Sequence, residues 1–296
     1  MTKKELTLPS YSFEVFPPKR DGDKKQIYDT LEAIAVHNPD FISVTFGAAG
    51  SDRGRETLDM CVHIQEKLGI RPLMHLTCVG ADKPAIERIF DAMEENGIRS
   101  TLLLRGDKKE GVDDENQLTD FHYAKDLIDY AVKNRDFTVG AACYPEGHIE
   151  SKTLTADLLH LREKVHSGTD FLITQFFFDN EKFYHFKEQA RSVDIDVPIY
   201  AGIMPVLNKN QIHKMVSLSG ASLPQKFARV LERYEHNPRA LQDAGIAYAS
   251  EQIVDLLSSG VDGIHLYVMN KPEIAKRISE NIGSILKDLK GQRHCA

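Results

Sequence analysis

The sequence predicts a closed (β/α)8 barrel of the TIM type with an extra helical segment before the last strand, read as one domain over residues 1–296. Three observations carry this. Eight short β-rich runs alternate with amphipathic helical stretches, and no two strands follow each other directly. Each run is short and apolar, as expected of strands covered on both faces. No G-x-G-x-x-G follows any of them, so the competing open doubly wound sheet lacks its nucleotide signature, and there is no Walker-A loop.

The first predicted strand, Tyr11–Phe16, is stopped by Pro17-Pro18, which cannot continue a ladder. A helical stretch over Lys24–His37 follows and ends at Asn38-Pro39. After a strand at Phe41–Phe46, the residues Leu58, Cys61, Val62, Ile64 and Leu68 recur at helical spacing. Behind the third strand, Leu73–Cys78, the triplet Asp82-Lys83-Pro84 has the form of an N-cap with proline in the first turn. It leads into a helix over Ala85–Asn96 that stops at Gly97. Strands at Thr101–Leu104, Thr138–Tyr144, Phe171–Phe178 and Ile199–Met204 continue the alternation, with Asp107–Gln117 as a charged, glycine-containing loop. The stretch Asn208–Gly260 departs from it. It holds more than one helix, Gln225–Tyr234 and Arg239–Leu257 about a break at Asn237-Pro238, and reads as an insertion before the final strand, Gly263–Val268.

Composition narrows the function classes. A hydrophobic content of 42% with 27% charged residues is that of a globular protein with a sizeable core. The formal charge is −7 and no long basic run occurs, which argues against a nucleic-acid partner but leaves room for an anionic small molecule in a locally basic cleft. Cys61, Cys78, Cys143 and Cys295 form no C-x-x-C pair, so neither a zinc site nor a disulfide framework is expected. No apolar run is long enough to span a bilayer, and a cytoplasmic enzyme without membrane partners is the expectation.

In a barrel of this kind the site lies at the C-terminal ends of the strands, and polar residues gather there. Glu14 stands among aromatic residues in the first strand; buried and unpaired, it would have a raised pKa and suit a general acid. The same residue could equally face outward or sit in an ordinary ion pair. Thr45-Phe46-Gly47-Ala48-Ala49-Gly50 ends the second strand in small residues that let a ligand approach the backbone. His75 lies in the third strand, Arg105-Gly106-Asp107 ends the fourth, and Tyr144-Pro145-Glu146-Gly147-His148 ends the fifth. Gln175 falls inside the sixth and Asn270-Lys271 closes the eighth. Taken singly, His75 reads as a core histidine and Arg105 with Asp107 as a loop ion pair. Together they favour a ligand site.

Six runs carry a resemblance. They are Phe13-Glu14-Val15-Phe16-Pro17-Pro18, Ser43-Val44-Thr45-Phe46-Gly47-Ala48, His75-Leu76-Thr77-Cys78, Leu104-Arg105-Gly106-Asp107, Ala142-Cys143-Tyr144-Pro145-Glu146-Gly147-His148 and Ile173-Thr174-Gln175-Phe176-Phe177-Phe178-Asp179. In this order they resemble the methylenetetrahydrofolate reductases. The likeness is collinear from about Ser12 to Lys271, and its first and last runs are the specific ones. The length is similar to the bacterial single-domain form, without the regulatory domain that longer members append.

The resemblance implies a barrel that holds FAD, takes a hydride from NADH or NADPH, and reduces methylenetetrahydrofolate to methyltetrahydrofolate by ping-pong kinetics. The product supplies methyl groups for methionine synthesis. It also implies a homo-oligomer. By motif match Glu14 is the acid that protonates the bridging nitrogen, Asp107 the carboxylate that stabilises the resulting cation beside the flavin, and Gln175 a contact to both hydride donor and folate. Thr45, Phe46, Ala48, His75, Arg105, Gly106, Tyr123, Ala124, Ala142, Tyr144, His148, Asp157 and Lys164 fall on the family's FAD-contact positions, with Lys164 suited to the pyrophosphate. His160 and Glu163 stand where Asn and Arg are often found beside the FAD, and Glu163 brings a negative charge there. Toward the folate, Gln211 matches, Met215 replaces an aromatic residue, and Lys271 replaces an Arg near the glutamate tail, a point charge for a bidentate fork. The alternative is a pterin-binding barrel that transfers a one-carbon unit without redox chemistry and needs no flavin.

Overall fold

In the computed structural model, which describes residues 8–18, 24–46, 52–107, 120–208, 212, 215–217 and 219–292, eight parallel strands pair in chain order and close through β1 against β8. The strands are β1 (Ser10–Val15), β2 (Phe41–Val44), β3 (Arg71–Thr77), β4 (Ser100–Leu104), β5 (Thr138–Cys143), β6 (Phe171–Thr174), β7 (Ile199–Ile203) and β8 (Gly263–Tyr267). Around them lie α1 (Lys24–Ala35), α2 (Asp52–Glu66), α3 (Lys83–Glu95), α4 (Ala124–Asn134), α5 (Leu154–His166), α6 (Asn180–Ser192), α7 (Gln225–Tyr234), α8 (Pro238–Ser258) and α9 (Pro272–Gln292).

Alternation along β1 fixes which residues face the helices and which face the barrel axis. Tyr11, Phe13 and Val15 join the main core with Ile27, Leu31 and Ile34 of α1. Ser12 and Glu14 point the other way. Beneath them, on the side of the strands' N-terminal ends, Phe41, Leu73, Leu102, Phe171, Ile173 and Tyr200 fill the barrel with apolar bulk, and the Phe171 and Tyr200 rings stack at 5.3 Å. The register sets Glu14 level with Ser43 on β2 and Tyr267 on β8, one layer above this plug. Gly202 on β7 is part of the same geometry. A Cβ there would lie 2.3 Å from the Thr174 carbonyl oxygen and 2.9 Å from the Tyr267 ring, so only glycine lets Tyr267 reach across to donate its hydroxyl hydrogen to that carbonyl at 2.8 Å.

The helix signals act as their chemistry requires. Asp82 caps α3, its carboxylate accepting from the Ala85 N–H at 2.8 Å, with Pro84 in the first turn. The insertion before β8 contains α7 and α8, divided where Asn237 caps α8 by accepting from Ala240 N–H. These helices build a second apolar cluster, with Phe176, Phe178, Met204, Phe227 and Leu231 at its centre and Met215 against it. That cluster explains one departure from expectation. β6 ends at Thr174; Phe176 and Phe178 leave the barrel to pack under α7 and α8, while Phe177 joins the main core and stacks on Phe183 of α6. Among the described residues, no helix is long and apolar enough to cross a membrane.

Candidate active site

Glu14 lies in a polar layer that four strands build inside the barrel. His265 on β8 is fully buried; its Nδ1 is 2.8 Å from Ser12 Oγ, and its Nε2 is 3.5 Å from Glu14 Oε2 and 3.4 Å from Ser43 Oγ. His75 on β3 brings its own Nε2 to 3.6 Å from the same carboxylate oxygen, buried and without a hydrogen-bond partner. Ser12 Oγ donates to the Ile264 carbonyl at 3.3 Å. With its hydrogen spent there, Ser12 must accept from His265 Nδ1–H. In the neutral ring Nε2 then carries no hydrogen and can only accept, so a hydrogen bond to Glu14 requires a proton on the carboxylate or on that nitrogen.

Electrostatics correct one expectation from the sequence. Burial pushes the Glu14 carboxyl up, but the hydrogen bond from His265, the charges of His75 and His265 and a hydrogen bond from Ser43 outweigh it, and the pKa lies below the ordinary carboxylate value. His75 moves through burial to about 4 and is therefore uncharged at neutral pH. At pH 7 His75 thus adds no charge beside Glu14. A strand sequence cannot display such partners, which is why the isolated reading of Glu14 has the opposite sign. Above the carboxylate, Asn270 holds the end of β1 in place, its side chain accepting from Phe16 N–H at 3.0 Å and donating to Phe16 O at 2.8 Å.

Beside this layer, at the C-terminal ends of β4 and β5, opens a cavity of about 1280 Å³. It exceeds the roughly 300–1,000 Å³ of ordinary small-ligand pockets and suits an elongated ligand. Phe46, Arg105, Gly106 and Asp107 line its β2 and β4 side, Tyr123 and Ala124 the start of α4. Ala142, Tyr144 and His148 come from β5 and its loop, and Asp157, His160 and Lys164 from α5. Gly106 sits at φ +85°, where a Cβ would press on Thr77 at 2.9 Å; glycine lets the chain pass close over the cavity floor. Asp157 organises the β5–α5 loop, accepting from His148 N–H at 3.2 Å and Ser151 Oγ at 2.7 Å. His148 Nδ1 accepts from Glu150 N–H, leaving Nε2 as the donor of the neutral ring. Burial raises the Tyr144 hydroxyl to about 12 and keeps it protonated.

Two cations of the cavity wall differ in their partners. Arg105 is gripped by both oxygens of Glu150 at 2.5 and 2.9 Å, and this pairing raises its pKa. Lys164 is the better pointer to a ligand. Its ammonium donates to the Ala142 carbonyl at 2.8 Å, and burial lowers its pKa. A buried ammonium with a carbonyl for its partner is an anion site in waiting, and it meets the requirement of a diphosphate-bearing cofactor. Among the described residues no cluster of His, Cys, Asp or Glu could hold a metal ion.

The remaining expected site residues are spread over the barrel mouth. Thr45 follows β2, its N–H on the Val15 carbonyl, and neither it nor His75 is on the cavity wall. Gln175 lies just after β6, not inside it; its N–H makes the last rung to Cys143 O, and its own side-chain oxygen accepts from Phe176 N–H at 3.0 Å. Met215 is half-buried, and Lys271 is exposed after a turn in which Met269 and Asn270 have φ of 56° and 53°. Ala48 and Gln211 fall outside the described residues. Sequence reasoning placed Asn270 at the barrel mouth but missed His265. The available signal for His265 was a lone polar residue in an apolar strand, in phase with the barrel interior as Glu14 and His75 are.

Comparison with known proteins follows the same geometry. The family model for methylenetetrahydrofolate reductase matches residues 2–283. A "5,10-methylenetetrahydrofolate reductase" of Pectobacterium carotovorum is 32% identical over 272 residues, covering 92% of this chain and 89% of that protein. A "Methylenetetrahydrofolate reductase (NADH) 1" of Arabidopsis thaliana is 32% identical over 288 residues, covering 93% of this chain and 48% of the longer plant protein. Among solved structures, an uncharacterised Clostridium thermocellum protein described as binding two copies of 5-methyl-5,6,7,8-tetrahydrofolic acid has a TM-score of 0.67 at 15% identity, covering 95% and 97% of the two chains. At that identity the likeness is one of fold.

Proposed function

The chain belongs to the methylenetetrahydrofolate reductase family, and from that premise we propose that its two neighbouring regions divide one reaction, the reduction of 5,10-methylenetetrahydrofolate to 5-methyltetrahydrofolate with NADH or NADPH. When bound, FAD would accept a hydride from the nicotinamide and give one to the folate in alternation, the basis of a ping-pong scheme. The observation that carries the reading is the pairing of Glu14 with His265 over Ser12.

Lys164, with Ala142 and Tyr144 on the facing wall, would hold the cofactor in the cavity, Lys164 through its diphosphate. Asp107, exposed on the rim, would lie beside the positive charge that forms on the folate when its bridging ring opens. Gln175, at the end of β6, would orient whichever substrate occupies the mouth, and Met215 and Lys271 would meet the apolar and anionic parts of the folate. Glu14 would deliver the proton to the bridging nitrogen. A lowered pKa does not forbid that role, since Glu14 Oε2 and His265 Nε2 are 3.5 Å apart and a proton taken up by either would stay beside the carboxylate. Binding of folate over the layer excludes water from the carboxylate and favours its neutral, donating form.

An anaerobic absorption spectrum tests the proposal. A flavin band that NADH bleaches and methylenetetrahydrofolate restores is the expected result. A protein that purifies colourless and takes up no added FAD would remove the flavin from the scheme, and one bleached by neither NADH nor NADPH would move the electron source elsewhere.

A further inference from the structure

The cavity wall carries a cation with no counterpart among the residues expected from the sequence. Lys125, the second residue of α4, and Glu163 on α5 both line the cavity, their charged ends 3.6 Å apart. Their side chains are 47% and 55% exposed, so the pair contributes under about 1 kcal/mol to stability. The separation is that of an ion pair looser than a hydrogen bond. It differs from Arg105, which Glu150 grips with both oxygens, and from Lys164, which is buried against a carbonyl. Glu163 therefore aims the Lys125 ammonium along the cavity wall without a tight bond that a ligand would have to break.

Charge accounting on this wall gives the Glu163 carboxylate a role. Alone, it would repel an anion bound near Lys164. Paired with Lys125 it is neutralised and no longer opposes the neighbouring Lys164 ammonium, while Asp126 and Asp157 on the same wall are engaged by backbone N–H groups. We propose that Lys125 contacts the diphosphate of the dinucleotide cofactor and that Glu163 is a positioning residue that holds it there. This rests on the flavin reading above. The diphosphate is the chosen contact because it is the anionic segment of FAD, whereas the ring system and the adenine carry no charge for an ammonium to meet.

Binding titrations with FAD and, in parallel, riboflavin, which lacks the phosphates, test the proposal on the whole chain. Lys125→Ala should weaken FAD about tenfold and leave riboflavin unchanged, and Lys125→Arg should restore most of the loss. Glu163→Gln should weaken FAD severalfold when Lys125 is present but tighten it in the Lys125→Ala background, where the carboxylate is left unpaired. Far-UV circular dichroism confirms that these exposed substitutions leave the fold intact. Equal FAD affinity in wild type and Lys125→Ala, or equal loss of FAD and riboflavin, overturns the assignment while leaving the flavin reading standing. A wild-type protein that binds no FAD overturns both.

Discussion

Replacing Glu14 with Gln keeps the side chain's volume and removes its proton, so the two half-reactions should separate. Stopped-flow measurement should find NADH reducing the flavin at the wild-type rate, with the folate half-reaction slowed about a hundredfold or more. A parallel loss of both would make Glu14 a structural residue. His265→Asn removes the imidazole that lowers the Glu14 pKa, which should rise; the descending limb of the pH profile for the folate half-reaction then moves to higher pH. An unmoved limb would take His265 out of the proton's path. His75 leaves a mark on stability instead. Its folded pKa of about 4 lies below the unfolded value of 6.5, so the unfolded chain binds the proton first as pH falls. Stability should therefore decline between pH 6.5 and 4, by at most about 1.4 kcal/mol per pH unit from this group. Urea titrations at pH 7 and pH 5 should show His75→Gln losing less than the wild type across that interval.

At the scale of elements, the staple between β1 and β8 is the feature to test. Asn270→Ala removes two side-chain hydrogen bonds to the Phe16 backbone and should cost about 1–3 kcal/mol, read as a lower urea midpoint at unchanged slope. An unchanged midpoint would mean that strand pairing alone fixes the end of β1. Elements of this kind show what a sequence discloses. The strands and the divided helical insertion were legible because their signals are local: apolar runs, Asp82 and Asn237 as caps, Pro17-Pro18 as a stop. β6 was read too long because Phe176–Phe178 are as apolar as a strand yet serve helix packing, Phe176 and Phe178 under α7 and α8 and Phe177 against α6. The barrel mouth was legible as a set of polar residues at strand ends. His265 was not, since nothing within Gly263–Tyr267 announces partners 253 and 251 positions away.

For the molecule as a whole, the cavity and the polar layer open side by side at one end of a barrel whose other end is filled by Phe41, Phe171 and Tyr200. A cofactor bound in this cavity, as proposed, would tie β4, β5, α4 and α5 together and bind the folded chain alone. FAD at a hundred times its dissociation constant should thus add about 2.7 kcal/mol to unfolding, visible as a higher urea midpoint. No shift at saturation would mean that the ligand does not distinguish folded from unfolded chain. The pairing of β1 with β8 also has a consequence in time. The imidazole that faces Glu14 is made 251 residues after it, an interval on the order of tens of seconds at ordinary translation rates. Throughout that interval the first strand has no last strand to close against, and Glu14 has no His265 beside it. The polar layer around Glu14 is completed only with the last strand, whatever else has folded before it.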